Sequence, residues 1–288
     1  MKLETGIGGL DVLLGGGVLT GTAILVYGNP GSGKSSLAMT VAANIAKRFK
    51  DSAIGVVVDT EAAWGSDRLP SIFGKVTGSK LDPEDFLKIY GATSMGEQHK
   101  VIVNIIPRDL QTLEVTPKIF IVDSLVCHYH SQLIGTPTTF LASKARELQG
   151  KLSLEIQTLL KLANSYSAFV LLTSWVKSAA AKSFQANERK EIVEGVKRGE
   201  AVYDIEGGFG ARGSDTIGGQ HLLYMSKTVL RMCATRVSED TRAIVLEKSL
   251  DQRSMRGVFV KLGDDGISGG NEVFELSEMM RRSLLEDM

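Results

Sequence analysis

The chain has 288 residues, 43% hydrophobic and 23% charged, with Lys+Arg and Asp+Glu balanced at 33 each. These values exclude a disordered or fibrous chain, and they exclude a global charge that would draw the protein onto nucleic acid or membrane; any polyanion site has to be local. Two distant cysteines, Cys127 and Cys233, and no apolar run near eighteen residues exclude a disulfide framework, a zinc spacing and a membrane-spanning helix.

The N-terminal "MKLETGIGGLD" has no apolar signal-peptide core, so a cytoplasmic protein is expected. "TAILVYG" (Thr22–Gly28) is the first short, buried strand pattern. A helix pattern follows over Gly33–Phe49, with Leu37, Val41, Ala42 and Ile45 on one face. "AIGVVVD" (Ala53–Asp59), "DFLKIYGA" (Asp85–Ala92), "KIFIVD" (Lys118–Asp123) and "AFVLLTS" (Ala168–Ser174) are further strands, with helix patterns at Gln98–Ile106 and Ser153–Asn164. Such alternation predicts an α/β domain: a mostly parallel, twisted sheet flanked by helices. From Gln220 onward "KTVLRMCA", "RAIVLEKS" and "GVFVKLG", with turns such as "GDDG", predict an antiparallel meander at one sheet edge. No repeat or Pro-rich linker divides the chain, so residues 1–288 read as one domain.

"GNPGSGKS", Gly28–Ser35, fits G-x-x-x-x-G-K-[ST] between a strand and a helix, which is the setting of a P-loop. Its glycines let backbone N–H groups converge on phosphate, and the helix N-terminus adds positive potential. Gly28, Asn29, Pro30, Gly31, Ser32, Gly33, Lys34, Ser35 and the adjoining Ser36 are the candidate ATP-binding residues. Lys34 reaches the β- and γ-phosphates in such a loop and serves catalysis there, and the Ser35 hydroxyl binds Mg²⁺. In "IFIVDS", Asp123 stands at the carboxyl end of a strand, where a carboxylate holds the Mg²⁺ water shell. In "DTEAAWGSDR", Glu61 follows another strand; from spacing alone it is either the group that orients the attacking water or a solvated loop residue. His99, His128, His130 and His221 show no metal spacing.

"TGIGGLDVLLGGGV", "DTEAAWGSDR", "LDPEDFLKIYGA", "IFIVDSLVCHYHSQLIG", "LLKLANSYSAFVLLTS" and "IGGQHLLYMSKTVLRM" stand in the order and spacing of the RecA/RadA recombinase family. The chain resembles that family over almost its whole length, its archaeal and eukaryotic branch above all. The resemblance implies a RecA-type P-loop ATPase core that binds single- and double-stranded DNA, acts in recombination and repair, and is nucleoid-associated. It also implies a homo-oligomer, filament or ring, with ATP between subunits. On this resemblance Glu61 matches the catalytic glutamate and Arg68 an arginine that stacks on adenine. The first DNA loop corresponds to about 131–145, with Lys144 and Arg146 as its cations or as the solvated face of the next helix. The second, long loop spans about 177–216 and holds Lys177, Lys182, Phe209 and Arg212 among nearly balanced charges, so either single-strand contact or a plain flexible linker is open.

Four departures qualify the match. The chain starts almost directly at the ATPase core, without the family's N-terminal DNA-binding domain or its Phe-x-x-Ala linker, which puts the usual subunit joining in doubt. "GTPTT" stands where a Gly-Arg-Gly-like segment is usual. Ser174-Trp175 replaces an Asn-Gln pair whose glutamine senses the γ-phosphate, and Trp175 either stacks a base or packs on the sheet end. Lys248, after a late strand, is expected to reach a neighbouring subunit's γ-phosphate as a trans finger and to share in catalysis. The leading expectation is a DNA-dependent ATPase that assembles on single strands and promotes strand exchange. A paralog that binds ATP and a partner recombinase is the alternative, and a ring-forming clock-type ATPase the weaker one.

Overall fold

The computed structural model describes residues 1–50, 53–78, 82–112, 114–176, 216–235 and 238–275. In chain order the elements are β1 (Lys2–Leu3), α1 (Gly8–Leu13), β2 (Val18–Leu19), β3 (Ala23–Gly28), α2 (Lys34–Phe49), β4 (Ala53–Asp59), α3 (Arg68–Thr77) and β5 (Leu87–Gly91). There follow α4 (Met95–Lys100), α5 (Ile106–Asp109), β6 (Thr116–Asp123), α6 (Cys127–Ile134), α7 (Leu141–Ser165), β7 (Phe169–Trp175), α8 (Gly219–Met225), β8 (Thr228–Ala234), β9 (Thr241–Lys248), β10 (Arg256–Gly263) and β11 (Gly266–Glu275). Nine strands form one sheet in the order β11-β10-β9-β8-β3-β7-β6-β4-β5. The strands from β8 to β5 pair in parallel, and β8 through β11 form the expected antiparallel edge.

Alternation along each central strand splits the core into two buried layers. Ile24, Val26, Val57, Ile121 and Leu171 face α1, α2 and α3. Leu25, Val56, Val58, Phe120, Val122 and Leu172 face α4, α6, α7 and α8. Successive side chains point to opposite faces, so a strand covered on both sides must be apolar throughout, which is what "AILVYG" and "KIFIVD" are. β3, the strand that feeds the P-loop, lies between β7 and β8, where the parallel half meets the meander. Among the described residues no helix is long and apolar enough to cross a membrane.

Three elements differ from their sequence patterns. The helix expected at 98–106 runs from Met95 to Asp109, widening to a π-turn over Val101–Ile105 ahead of Pro107, whose ring nitrogen has no proton to donate. Helix α7 begins at Leu141 rather than near 153. Its buried stripe starts only at Leu148, so its first turns carry no core-facing signal. They are supported instead by Lys144 and Lys151, each 3.0 Å from a Glu147 oxygen. β11 went unread because "GISGGNEVFE" is glycine-rich. Two of its glycines answer to packing: a Cβ would lie 2.6 Å from the Thr40 hydroxyl oxygen at Gly266, where φ is 107°, and 2.8 Å from Val260 Cγ1 at Gly269.

One buried side chain stitches β11 to the P-loop helix. The Thr40 hydroxyl donates to the Ser36 carbonyl at 2.7 Å and accepts the Ile267 N–H at 3.0 Å. Thr40→Val keeps the shape and orphans that N–H, so it is expected to cost about 1–3 kcal/mol. The midpoint of urea unfolding measures this; an unchanged midpoint would show that water replaces the hydroxyl.

Candidate functional site

The site forms at the carboxyl ends of β3, β4, β6 and β7. At the end of β3, Gly31 and Gly33 adopt φ of 76° and 99°, left-handed values that turn the loop's N–H groups inward and start α2. Gly28 is fixed by crowding, since a Cβ there would lie 2.1 Å from the Met232 carbonyl oxygen of β8. Lys34 is buried and donates to the carbonyls of Gly28 at 3.1 Å and Asn29 at 2.9 Å. Burial lowers its pKa, while the negative charges of Asp123 and Glu61 pull it back up.

Glu61 is aimed by the turn that closes β4. Asp59 accepts the N–H groups of Glu61 at 3.1 Å and Ala63 at 3.2 Å on one oxygen, and that of Trp64 at 3.0 Å on the other. Ala62 takes φ 56°, a left-handed conformation that costs a non-glycine residue roughly 1–2 kcal/mol. Thr60 locks the turn to β6 by exchanging 2.8 Å hydrogen bonds with the Ser124 backbone.

Asp123, at the end of β6, is buried, with both oxygens engaged. Oδ1 accepts the Thr173 hydroxyl at 2.6 Å and Oδ2 accepts the Trp64 indole N–H at 3.0 Å. A carboxylate offers about four acceptor positions, so these bonds orient Asp123 without exhausting it. Pro30, Gly31, Gly33, Lys34, Ser35, Ser36, Glu61, Arg68, Asp123, Trp175 and Leu262 line one cavity of about 270 Å³.

Mg²⁺ keeps much of its water and takes only one or two protein oxygens beside phosphate. Ser35 and Asp123 meet that need from two walls of the same cavity. Among the described residues no cluster of three His, Cys, Asp or Glu side chains could hold a metal unaided. The donor set therefore fits Mg²⁺ arriving with a phosphate chain.

The remaining site expectations divide. Arg68 opens α3 at the cavity wall and donates to the Gly263 carbonyl at 3.1 Å, which places it against the β10–β11 turn. Trp175 turns toward the cavity: its indole N–H donates to Glu61 Oε1 at 3.0 Å, and its ring meets His130 edge-on at 5.7 Å. Lys248 is engaged within its own chain, donating to the carbonyls of Leu223 at 2.6 Å and Ser226 at 2.8 Å at the end of α8. Burial and the charge of Lys227 lower its pKa. A trans role requires both bonds to break.

The segment 131–145, expected as a loop, is largely helical: α6 to Ile134, a 3₁₀ turn over Thr138–Phe140, then α7. Lys144 there pairs with Glu147 at 3.0 Å, and Arg146 stands on the exposed part of α7. Lys177, Lys182, Phe209 and Arg212 lie outside the described residues. The sequence reading missed Trp64, Thr173 and Asp59, which hold the two site carboxylates. The available signal was their position: Asp59 closes β4, Trp64 follows it by five residues, and Thr173 stands two residues before the end of β7.

The sequence model of the Rad51 family matches residues 1–198. A Methanobrevibacter smithii protein described as "DNA repair and recombination protein RadB" is 29% identical over 237 residues, covering 78% of either chain. A solved structure described as "Crystal structure of the RadB recombinase" superposes with a TM-score of 0.64 at 21% identity, covering 93% of this chain and 99% of its own. At that identity the likeness is one of fold.

Proposed function

Because the chain belongs to the Rad51 family of RecA/RadA-type recombinases, we propose that it is an ATP- and Mg²⁺-dependent, DNA-binding ATPase of homologous recombination and repair. One observation carries the reading: Lys34, Ser35, Glu61 and Asp123, from three distant stretches of chain, line a single cavity at the sheet's carboxyl edge. Lys34 and the loop N–H groups suit the phosphates of ATP. Ser35 and Asp123 would hold Mg²⁺, which would neutralise charge on the transferring phosphate. Glu61 suits the orientation of the attacking water. Arg68, at the cavity wall, suits the adenine face. DNA contacts fall to residues 177–215, whose basic and aromatic side chains match single-strand recognition. Subunits assemble on DNA with ATP between them.

The decisive experiment is electron microscopy with ATP, with and without single-stranded DNA, beside phosphate-release assays. Filaments and faster hydrolysis only with DNA support the proposal; neither response to DNA sinks it. Lys34→Ala is expected to weaken ATP binding about ten- to a hundredfold, the worth of one or two hydrogen bonds to a charged group. Binding of a fluorescent ATP analogue checks this.

A second reading has its own observation. Between α6 and α7 the chain offers only Gly135–Phe140, with no basic residue. A short, uncharged first loop favours a mediator that binds ATP and a partner recombinase and exchanges strands poorly. Heterodimers without DNA-dependent filaments would mark that outcome.

A further inference from the structure

Trp175 occupies an unusual position. Its carbonyl accepts the Ile217 N–H at 2.9 Å, and Val176 bridges to Thr216. Next to it the buried Ser174 hydroxyl meets the Thr216 hydroxyl at 3.0 Å and the Ile217 carbonyl at 3.1 Å. The two ends of the 177–215 segment are therefore joined at this residue's backbone. Its side chain meanwhile reaches Glu61 by hydrogen bond and His130 of α6 by ring contact. One residue links the base of the long segment, the candidate base of hydrolysis, and the helix that precedes the first loop.

We infer that Trp175 is the positioning residue for Glu61. This rests on the ATPase reading above. An indole N–H donates and cannot accept, and it does not ionise near neutral pH. It fixes Oε1 and leaves Oε2 to take the proton from water. The water oxygen then bonds to the γ-phosphorus, and the bond to the ADP oxygen breaks. Nothing is drawn from Trp175 itself. A shift of the strand end that loosens the indole would misaim Glu61, and small misplacements of a catalytic group cost large rate factors.

The test is steady-state ATP hydrolysis. Trp175→Phe keeps a ring and removes the donor; it is expected to lower kcat about tenfold or more, with KM for ATP within about twofold. Trp175→Gln, whose side-chain amide again supplies an N–H, is expected to recover most of the loss. In a Glu61→Ala background, Trp175→Phe is expected to make no further difference, because the residue acts through that carboxylate. An unchanged or raised kcat in Trp175→Phe overturns the inference, as does an equal loss in the Glu61→Ala background. If the wild-type protein hydrolyses no ATP, the ATPase reading fails, and the contact is still measurable. Glu61→Ala is then expected to change tryptophan emission only in a chain that retains Trp175; no change overturns the contact.

Discussion

Replacing Glu61 by glutamine is expected to slow ATP hydrolysis about 10²–10⁴-fold, the usual worth of a positioned general base. The substitution is isosteric and leaves an oxygen where Trp175 donates its indole N–H at 3.0 Å. The turn held by Asp59 uses the backbone N–H of Glu61, so it survives too. Lys34, Ser35 and the glycine loop are untouched. Nucleotide binding is therefore expected to persist while turnover falls, opposite to the loss of binding in Lys34→Ala. Phosphate release in single turnover, set beside analogue binding, separates the two. A Glu61→Gln protein retaining a third or more of wild-type turnover would remove Glu61 from the chemistry.

The second large effect lies beneath the site. Glu155 of α7 is fully buried; its Oε2 accepts the Gln98 amide N–H at 2.8 Å, and its Oε1 lies 3.1 Å from His99 Nδ1. Burial pushes its pKa up to about 8, with the Gln98 hydrogen bond and the Lys151 charge pulling the other way. Burial, and then Lys151, also lower the pKa of His99. The distance alone would admit an ion pair. Since burial opposes both charges, we read it as a neutral hydrogen bond, with the carboxyl O–H donating to Nδ1.

The sign follows from linkage. The folded pKa lies above the unfolded value of 4.5. Below that value both states are protonated and the contribution is fully present. As pH rises toward about 8, the unfolded chain releases a proton that the folded one keeps, and stability is lost. The span corresponds to a loss of about 5 kcal/mol. Glu155→Gln offers the same acceptor to Gln98 and an N–H to His99 without a titrating proton. It is expected to exceed the wild type by several kcal/mol at pH 8.5 and to differ little at pH 5. Urea unfolding at the two pH values is the measurement; an equal difference at both would mean that Glu155 is not the titrating group.

How much of this was legible follows from what each residue must satisfy. The P-loop and Asp123 were legible as strand-end features because an apolar run leads to each, whereas spacing alone left Glu61 open and only the resemblance gave it a role. The beginning of α7 was not legible, because Leu141–Glu147 faces no core and its helix rests on charge pairs along its own surface. β11 was hidden by its glycines, of which Gly266 and Gly269 leave no room for a Cβ against Thr40 of α2 and Val260 of β10. Trp175 was legible as a residue in an unexpected place, but the direction of its indole depends on Glu61, 114 positions away. Trp64 was passed over for the same reason: its value lies in a bond to Asp123 across the sheet.

The placement of β3 between β7 and β8 has a consequence for how the protein is made. The P-loop is synthesised well before the strands that flank β3, since β7 starts at Phe169 and β8 at Thr228. The Met232 carbonyl against which Gly28 packs belongs to β8, and Leu262, which lines the cavity, comes later still. Pairing over such sequence separation is slow to form. The phosphate loop precedes most of its pocket in the chain, so a growing chain carries it as far as Leu262 before the cavity can be complete.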